Sequence, residues 1–215
     1  MGEPLPESPS DARKAMRLSA ITVVWNLIVG GTGVAIAVST GSLSLIGFGV
    51  TAVVDSTVSV LLVWRFHAED RGHAERAERA ETRAERLAGV AFVLIAIYLT
   101  VQSIRTLATS GSSESPTFGI AIAAASFVVL PFLARAKYTL AVRIGSRALR
   151  ADSILTASGV ALSAVALVSL LLHSAFGWWW VDPLGALVIA AILVWQGVSI
   201  LRQQASSLSS TSASG

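Results

Sequence analysis

The chain has 215 residues, of which 53% are apolar and only 13% are charged, and its mean hydropathy is +0.69. This composition excludes an ordinary soluble domain and is typical of a protein that crosses a membrane several times. The net charge of +3 does not indicate nucleic-acid binding, because the arginines lie in short segments between apolar runs, where they orient a membrane protein. The absence of cysteine excludes disulfides and thiolate metal sites.

The N-terminal residues are rich in Pro, Ser and Glu, and we predict a disordered cytoplasmic tail over residues 1–16. Three basic residues then precede an apolar run at about 18–38. This run is longer than the apolar core of a signal peptide and lacks a good cleavage site, so it is interpreted as an uncleaved first transmembrane helix. Within it, Gly30, Gly31 and Gly33 predict close packing against another helix.

Five more apolar runs predict helices at about 42–66, 87–107, 117–134, 152–173 and 184–201. The predicted fold is therefore an all-α, polytopic membrane domain with six transmembrane helices over residues 17–202. Pro131 predicts a kink or an early stop in the fourth helix. The Gln- and Ser-rich residues 203–215 predict a disordered C-terminal tail.

The basic residues predict the orientation. When both termini and the segments after the second and fourth helices lie on one side, every one of the sixteen Lys and Arg residues except Arg105 lies there. The positive-inside rule then predicts cytoplasmic termini, and Trp178–Trp180 are expected at the outer interface. The membrane itself is expected to be the plasma membrane.

A charged segment, residues 65–86, separates the second and third apolar runs. Its Glu and Arg residues are spaced three and four apart, which favours a solvated helical linker. The alternative is a weak metal-collecting site formed by His67, Glu69, Asp70 and His73, although their spacing does not match a closed zinc motif.

The second predicted helix contains one acid, Asp55, about ten residues or ~15 Å from its cytoplasmic end. An ionised carboxylate at such depth costs about 3 kcal/mol on insertion scales unless it meets a partner, water or a proton, so Asp55 is a candidate functional residue. Thr51 lies one turn earlier on the same face. Asn26 of the first helix either bonds to a neighbouring helix or lines a cavity with Asp55.

Two other acids lie at predicted helix starts. Asp152 is either an N-terminal cap of the fifth helix or a member of a pathway with Asp55. The two carboxylates differ by roughly 10 Å in predicted depth, which favours successive use over joint binding of one ion. Asp182, followed by Pro183, has the pattern of a cap at the start of the sixth helix.

The order of six helices, the segment SLSLIGFG, the acid Asp55, the segment RALRAD and the segment WVDPLGALVIA together resemble the membrane domain of the cation diffusion facilitator, or cation efflux, family over about residues 17–201. The resemblance implies homodimeric exporters that exchange zinc or a related divalent ion for protons by alternating access. In this family the transport site takes two residues four apart on the second helix and two on the fifth.

Mapped onto this chain, the resemblance places the helix 2 ligands on Thr51 and Asp55, of which Thr51 offers only a hydroxyl. The helix 5 positions fall on Leu155 and Gly159, whose side chains cannot bind a metal. We also expect no cytoplasmic domain after the sixth helix, where the family usually has one, as in the short six-helix relatives. A dry tetrahedral zinc site is therefore not expected. Two interpretations of Asp55 follow: a partly hydrated cation passes it in exchange for its protonation, or it is a buried acid kept neutral by its apolar surroundings, a relic of transport.

We therefore expect a divalent-cation, zinc-like secondary transporter, with Asp55 as the main cation and proton site and Thr51 and Asp152 as further metal candidates. The expected partners are the lipid bilayer, the transported cation, protons and a second copy of the chain, with no resident cofactor and no nucleic acid. The alternative is a non-transporting subunit or regulator of a full-length cation transporter. No constellation typical of an enzyme is found, so no catalytic residue is expected.

Overall fold

The computed structural model describes the backbone of residues 9–69, 74–109, 117–145 and 147–212. These residues form six helices: α1 (Pro9–Thr40), α2 (Leu43–Glu69), α3 (Ala74–Thr109), α4 (Thr117–Ile144), α5 (Arg147–Phe176) and α6 (Val181–Ser212). Five of them are long and apolar enough to cross a membrane, and α2 adds a shorter apolar part among the described residues, Leu43–Thr57. The predicted all-α, six-helix membrane fold is confirmed.

Several helices are longer than predicted. α1 begins at Pro9 and α6 ends at Ser212, so helical backbone enters both segments that were predicted to be tails. Of the two effects predicted for Pro131, a kink or an early stop, the early stop is wrong, because α4 continues through this residue to Ile144. A helix that stopped within the hydrocarbon region would leave backbone groups without hydrogen bonds, and this cost exceeds that of one proline.

Three pairs of helices make the most extensive contacts: α1 with α2, α3 with α6, and α4 with α5. α2 also contacts α3, α5 and α6 and is therefore the central helix of the bundle. Most of the side chains of the main apolar core come from α2, α3, α5 and α6, and the fully buried ones include Leu45, Phe92, Leu99, Leu162, Ile189 and Leu193.

Glycines bring the backbones of two of these pairs together. A Cβ on Gly30 of α1 would lie 2.7 Å from the carbonyl oxygen of Gly49 on α2. A Cβ on Gly197 of α6 would lie 2.7 Å from the carbonyl oxygen of Gly89 on α3. The close packing predicted for Gly30 is thereby confirmed, whereas a Cβ on Gly31 would meet no atom within 4 Å.

The outer surface of the bundle is apolar and its interior is partly polar. Phe132, Trp195 and Ile28 are 72%, 68% and 61% exposed, as expected for side chains that face lipid. Many serines and threonines are buried instead, where small polar residues can bond across or along helices.

Asp182 joins the starts of α2 and α6. Its carboxylate accepts hydrogen bonds from the Leu43 amide at 2.8 Å, from the Ser42 hydroxyl at 2.9 Å and from the Ser44 hydroxyl. Asp182 lies in the first turn of α6, as predicted, but these bonds satisfy the N-terminus of α2. The predicted role as a cap of its own helix is corrected to a cap between helices.

Candidate functional site

A small cavity lies between α2 and α5 and is closed by side chains from α1 and α4. Its volume is about 10 Å³, the room that one water molecule needs. It is lined by Asn26, Phe48, Thr51, Ala52, Asp55, Ser59, Leu130, Asp152, Leu155, Thr156, Gly159 and Leu162. We refer to it as the Asp55 cavity.

Asp55 lies in the middle of α2 and is 6% exposed. Its Oδ1 atom accepts no hydrogen bond from the described residues. Thr51, one turn earlier, is also buried and donates its hydroxyl proton to the Gly47 carbonyl at 2.7 Å, so its oxygen lone pairs remain available to a cation. Asp55 is therefore a buried carboxylate that keeps an acceptor atom free within a polar cavity.

Asp152 lines the same cavity, but both of its carboxylate oxygens already have bonding partners. Its Oδ2 lies 2.7 Å from the Lys137 ammonium and accepts a 2.8 Å hydrogen bond from the Ser19 hydroxyl, while its Oδ1 accepts a 2.9 Å bond from the Ser59 hydroxyl. α5 begins at Arg147, so Asp152 lies more than one turn inside the helix. The interpretation of Asp152 as an N-terminal cap is wrong.

Lys137 is the residue at this site that the sequence analysis missed. Its side chain is fully buried, and its ammonium also donates to the Thr156 hydroxyl at 3.2 Å. Because the fourth helix is predicted to end at Ala134, Lys137 falls in the basic segment that follows it. A signal was present, since Lys137 continues the three- and four-residue spacing of the buried positions of α4, namely Gly119, Ala123, Ser126, Leu130, Ala134, Lys137, Leu140 and Ala141.

One carboxylate thus connects four helices. Ser19 lies on α1, Ser59 on α2 and Lys137 on α4, and all three contact Asp152 of α5. A buried ion pair is tolerated only when its remaining donors and acceptors are bonded, and the serines supply such bonds here. Among the described residues, Asp55 is the cavity acid that keeps no such cation partner.

The four positions indicated by the family resemblance all line the Asp55 cavity: Thr51 and Asp55 from α2, and Leu155 and Gly159 from α5. The structure therefore brings these positions together, although the α5 pair supplies no ligand. A Cβ on Gly159 would lie 3.2 Å from Leu130 Cδ1, so α4 packs tightly where a ligand side chain would begin.

Most of the polar groups around the cavity present an oxygen atom that can coordinate a cation. Thr51, Asp55, Ser59 and Thr156 offer hydroxyl or carboxylate oxygens, and the buried Asn26 adds an amide, which agrees with the predicted cavity role of Asn26. Among the described residues, no group of three His, Asp or Glu side chains could hold a metal ion. Such a cavity fits a cation that retains part of its water shell better than a closed tetrahedral zinc site.

The alternative metal-collecting site cannot be placed in the same way. Asp70 and His73 lie outside the described residues, and the side chains of His67 and Glu69 also lie outside the described part of the structure. That interpretation stays a prediction from the sequence.

The chain is similar to known proteins over almost the whole bundle. Residues 19–209 match the family model of the cation efflux transmembrane domain. The matched region includes the whole of α2 to α5, most of α1 and α6, and all twelve residues that line the Asp55 cavity.

Two curated relatives align over almost the full chain. The Uncharacterized transporter sll1263 of Synechocystis sp. is 26% identical over 201 residues, which are 92% of this chain and 65% of that protein. Transmembrane protein 163 of Xenopus laevis is 24% identical over 196 residues, which are 91% of this chain and 69% of that protein. The chain therefore spans about two thirds of the length of the relatives it matches.

Proposed function

Because the chain belongs to the cation efflux family, we propose that it is a secondary transporter of divalent, zinc-like cations in which Asp55 alternately binds the cation and a proton. The observation that carries this proposal is the buried carboxylate of Asp55, which borders a polar cavity and leaves one oxygen without a hydrogen bond from the described residues. In a membrane interior such an acid is costly unless it acts on an ion or a proton.

Asp55 suits this role better than Asp152. The charge of Asp152 is compensated by Lys137, and both of its carboxylate oxygens accept hydrogen bonds from serine hydroxyls. A cation bound there would have to displace the lysine and break these bonds. Asp55 requires no such displacement, so a cation that enters the cavity meets one uncompensated carboxylate.

The cation would be bound by few protein ligands. Asp55 supplies a carboxylate, and the Thr51 hydroxyl and the Asn26 amide border the same cavity. Since one carboxylate and neutral oxygens fill only part of a coordination shell, water completes it. Binding of this kind is weak enough for release, which transport requires.

Proton exchange follows from the single carboxylate. When Asp55 is protonated, the cavity has lost the negative charge that attracts a cation. When a cation arrives, the proton must leave. The two ligands therefore compete for one site, and we expect cation flux in one direction to drive protons in the other.

Flux in proteoliposomes tests the proposal. Purified protein should move zinc, manganese or cobalt into liposomes loaded with a metal-sensitive dye, and a pH-sensitive dye should report opposite proton movement. Lowering the pH on the side of cation entry should slow the flux, because protons and cations compete for Asp55. Asp55→Asn, which keeps the shape but not the charge, should reduce both signals to the level of protein-free liposomes.

Thr57→Ala is the matched control, because Thr57 lies two residues away on α2, is exposed, and donates its hydroxyl to its own helix at Val53. This variant should transport like the wild type. Wild-type flux in Asp55→Asn would contradict the role of Asp55.

A second function is favoured by one observation: Leu155 and Gly159 occupy the α5 positions at the cavity. A chain without those ligands could serve as a non-transporting subunit of a full-length cation transporter. In that case purified protein would show no flux for any of the three metals, and a cation transporter would co-purify with it from its native membrane.

We also propose that the chain lies in the plasma membrane with both termini in the cytoplasm and that it forms a homodimer. The orientation is supported by the distribution of Lys and Arg, and the dimer by membership of the family. Cross-linking in intact membranes, followed by determination of the mass, tests the dimer.

A further inference from the structure

A second concave region lies on the outside of the bundle, away from the Asp55 cavity. It is an open groove of about 630 Å³ between the first turns of α1 and the last turns of α4. Its lining residues are Lys14, Arg17, Leu18, Phe132, Arg135, Ala136, Thr139, Leu140 and Arg143. We call it the α1–α4 groove.

The rim of the α1–α4 groove is strongly basic. Lys14 and Arg17 come from α1, Arg135 and Arg143 come from α4, and all four side chains are exposed. No acid is among the lining residues. Tertiary packing thus concentrates four positive charges from two helices that are more than a hundred residues apart in the sequence.

Apart from Thr139, the other residues that line the groove are apolar. Phe132 is 72% exposed, and Leu18 packs against the small apolar cluster that contains Leu140. Phe132 lies about one turn below Arg135 in the direction of the membrane centre. The groove therefore combines positive charge at the depth of headgroups with an aromatic surface at the depth of acyl chains.

This combination matches one class of molecule. A soluble anion would use the basic rim but not the apolar surface, and a zwitterionic lipid would use the apolar surface without needing four positive charges. An anionic phospholipid uses both, and basic pockets between transmembrane helices bind such headgroups.

We propose that the α1–α4 groove is a binding site for an anionic phospholipid, whose phosphate contacts Arg17 and Arg135 and whose acyl chain lies along Phe132. The site holds α1 against α4 at the end of the bundle where α1 begins. Since α1 and α4 also close the Asp55 cavity, the lipid binds the two helices whose separation would open it. The proposal does not depend on cation transport.

Lipid titration of the purified full chain tests the site. Native mass spectrometry in a neutral detergent counts bound lipids as phosphatidylglycerol or phosphatidylcholine is added. We expect phosphatidylglycerol to bind more tightly to the wild type. Arg17→Gln/Arg135→Gln should weaken that binding about fivefold for each charge removed, or ~25-fold in total, without changing the binding of phosphatidylcholine.

Arg150→Gln/Arg202→Gln is the matched control, because it removes two exposed arginines that are not among the lining residues of the groove. It should bind phosphatidylglycerol within about twofold of the wild type, since no groove charge is lost. Arg17→Lys/Arg135→Lys keeps the charge and should keep the binding, which separates a loss of charge from a loss of fold.

Three results would overturn the proposal. Equal affinity of the wild type for both lipids would indicate ordinary lipid contact, and an equal loss in the control variant would indicate general surface charge. Displacement of the lipid by millimolar inorganic phosphate would indicate a site for a soluble anion.

Discussion

Lys137 determines the electrostatics of the bundle interior at the scale of single residues. A buried ammonium lies 2.7 Å from Asp152, and the pair is enclosed by three hydroxyl groups from Ser19, Ser59 and Thr156. Lys137 compensates the charge of one cavity acid, Asp152, whereas the other, Asp55, stays available to a cation or a proton. The functional difference between two aspartates therefore comes from a lysine on a third helix.

We expect Lys137→Met to destabilise the protein by about 3–5 kcal/mol, because the variant leaves the Asp152 carboxylate buried without a cation. Lys137→Met/Asp152→Asn removes both charges and should cost clearly less than the single change. The measurement is the free energy of unfolding in mixed micelles as the denaturing detergent is increased.

Arg105→Met serves as a control for that experiment, because Arg105 is exposed on α3 and its replacement should change the free energy of unfolding by less than about 0.5 kcal/mol. Equal losses in the single and double variants would show that Lys137 contributes through its packing and not through its charge.

At the scale of helices, close contact of backbones decides the packing. α1 meets α2 at Gly30 and Gly49, and α3 meets α6 at Gly89 and Gly197. Without a large hydrophobic driving force between helices in lipid, such close van der Waals contact supplies much of the association. The first of these contacts holds one side of α2, the helix that carries Asp55.

Gly30 and Gly31 allow a sharp test of this packing, because they are adjacent but differ in surroundings. Gly30→Ala would put a Cβ 2.7 Å from a backbone oxygen of α2, and we expect a loss of about 1–3 kcal/mol. Gly31→Ala meets nothing within 4 Å and should stabilise the protein by up to about 1 kcal/mol, because alanine favours a helix.

The same unfolding measurement in micelles distinguishes the two glycine variants. We expect Gly30→Ala to lower the free energy of unfolding and Gly31→Ala to raise it. If both substitutions were neutral, the approach of α1 to α2 would be looser than the structure indicates.

At the scale of the whole molecule, the two ends of the bundle differ in chemistry. The end where α1 begins contains the basic α1–α4 groove, whereas the opposite end has stacked aromatic rings, with Phe176 and Trp178 at 4.9 Å and Trp178 and Trp180 at 5.4 Å between ring centroids. Basic residues favour the cytoplasmic side and tryptophans favour an interface. The asymmetry supports the orientation that we propose.

Single cysteines test the orientation without background, because the chain has no cysteine of its own. Ser39→Cys, exposed near the end of α1, should react with a membrane-impermeant maleimide in intact cells. Arg202→Cys, exposed on α6, should react only after permeabilisation. The reverse pattern would place the termini outside.

The relation between sequence and structure is uneven across the site. Asp55 was found from the sequence because one acid in a long apolar run is visible without knowledge of any other helix. Asp152 was placed at a helix start because the sequence from Arg135 to Arg150 is basic and polar enough to resemble a loop. Lys137 was missed for the same reason, although its position continues the three- and four-residue spacing of the buried residues of α4.

The sequence by itself determined the membrane class, the six helices, the asymmetry of charge and the buried acid, because these properties depend on local hydropathy and on position along one helix. Only the tertiary structure decided that Lys137 neutralises Asp152, that Asp182 caps α2, and that Leu155 and Gly159 line the cavity of Asp55. Ser19 and Asp152 are 133 residues apart, and Leu43 and Asp182 are 139 residues apart. The partner of a buried charge is fixed by the packing and rotation of helices distant in sequence, which no local pattern specifies.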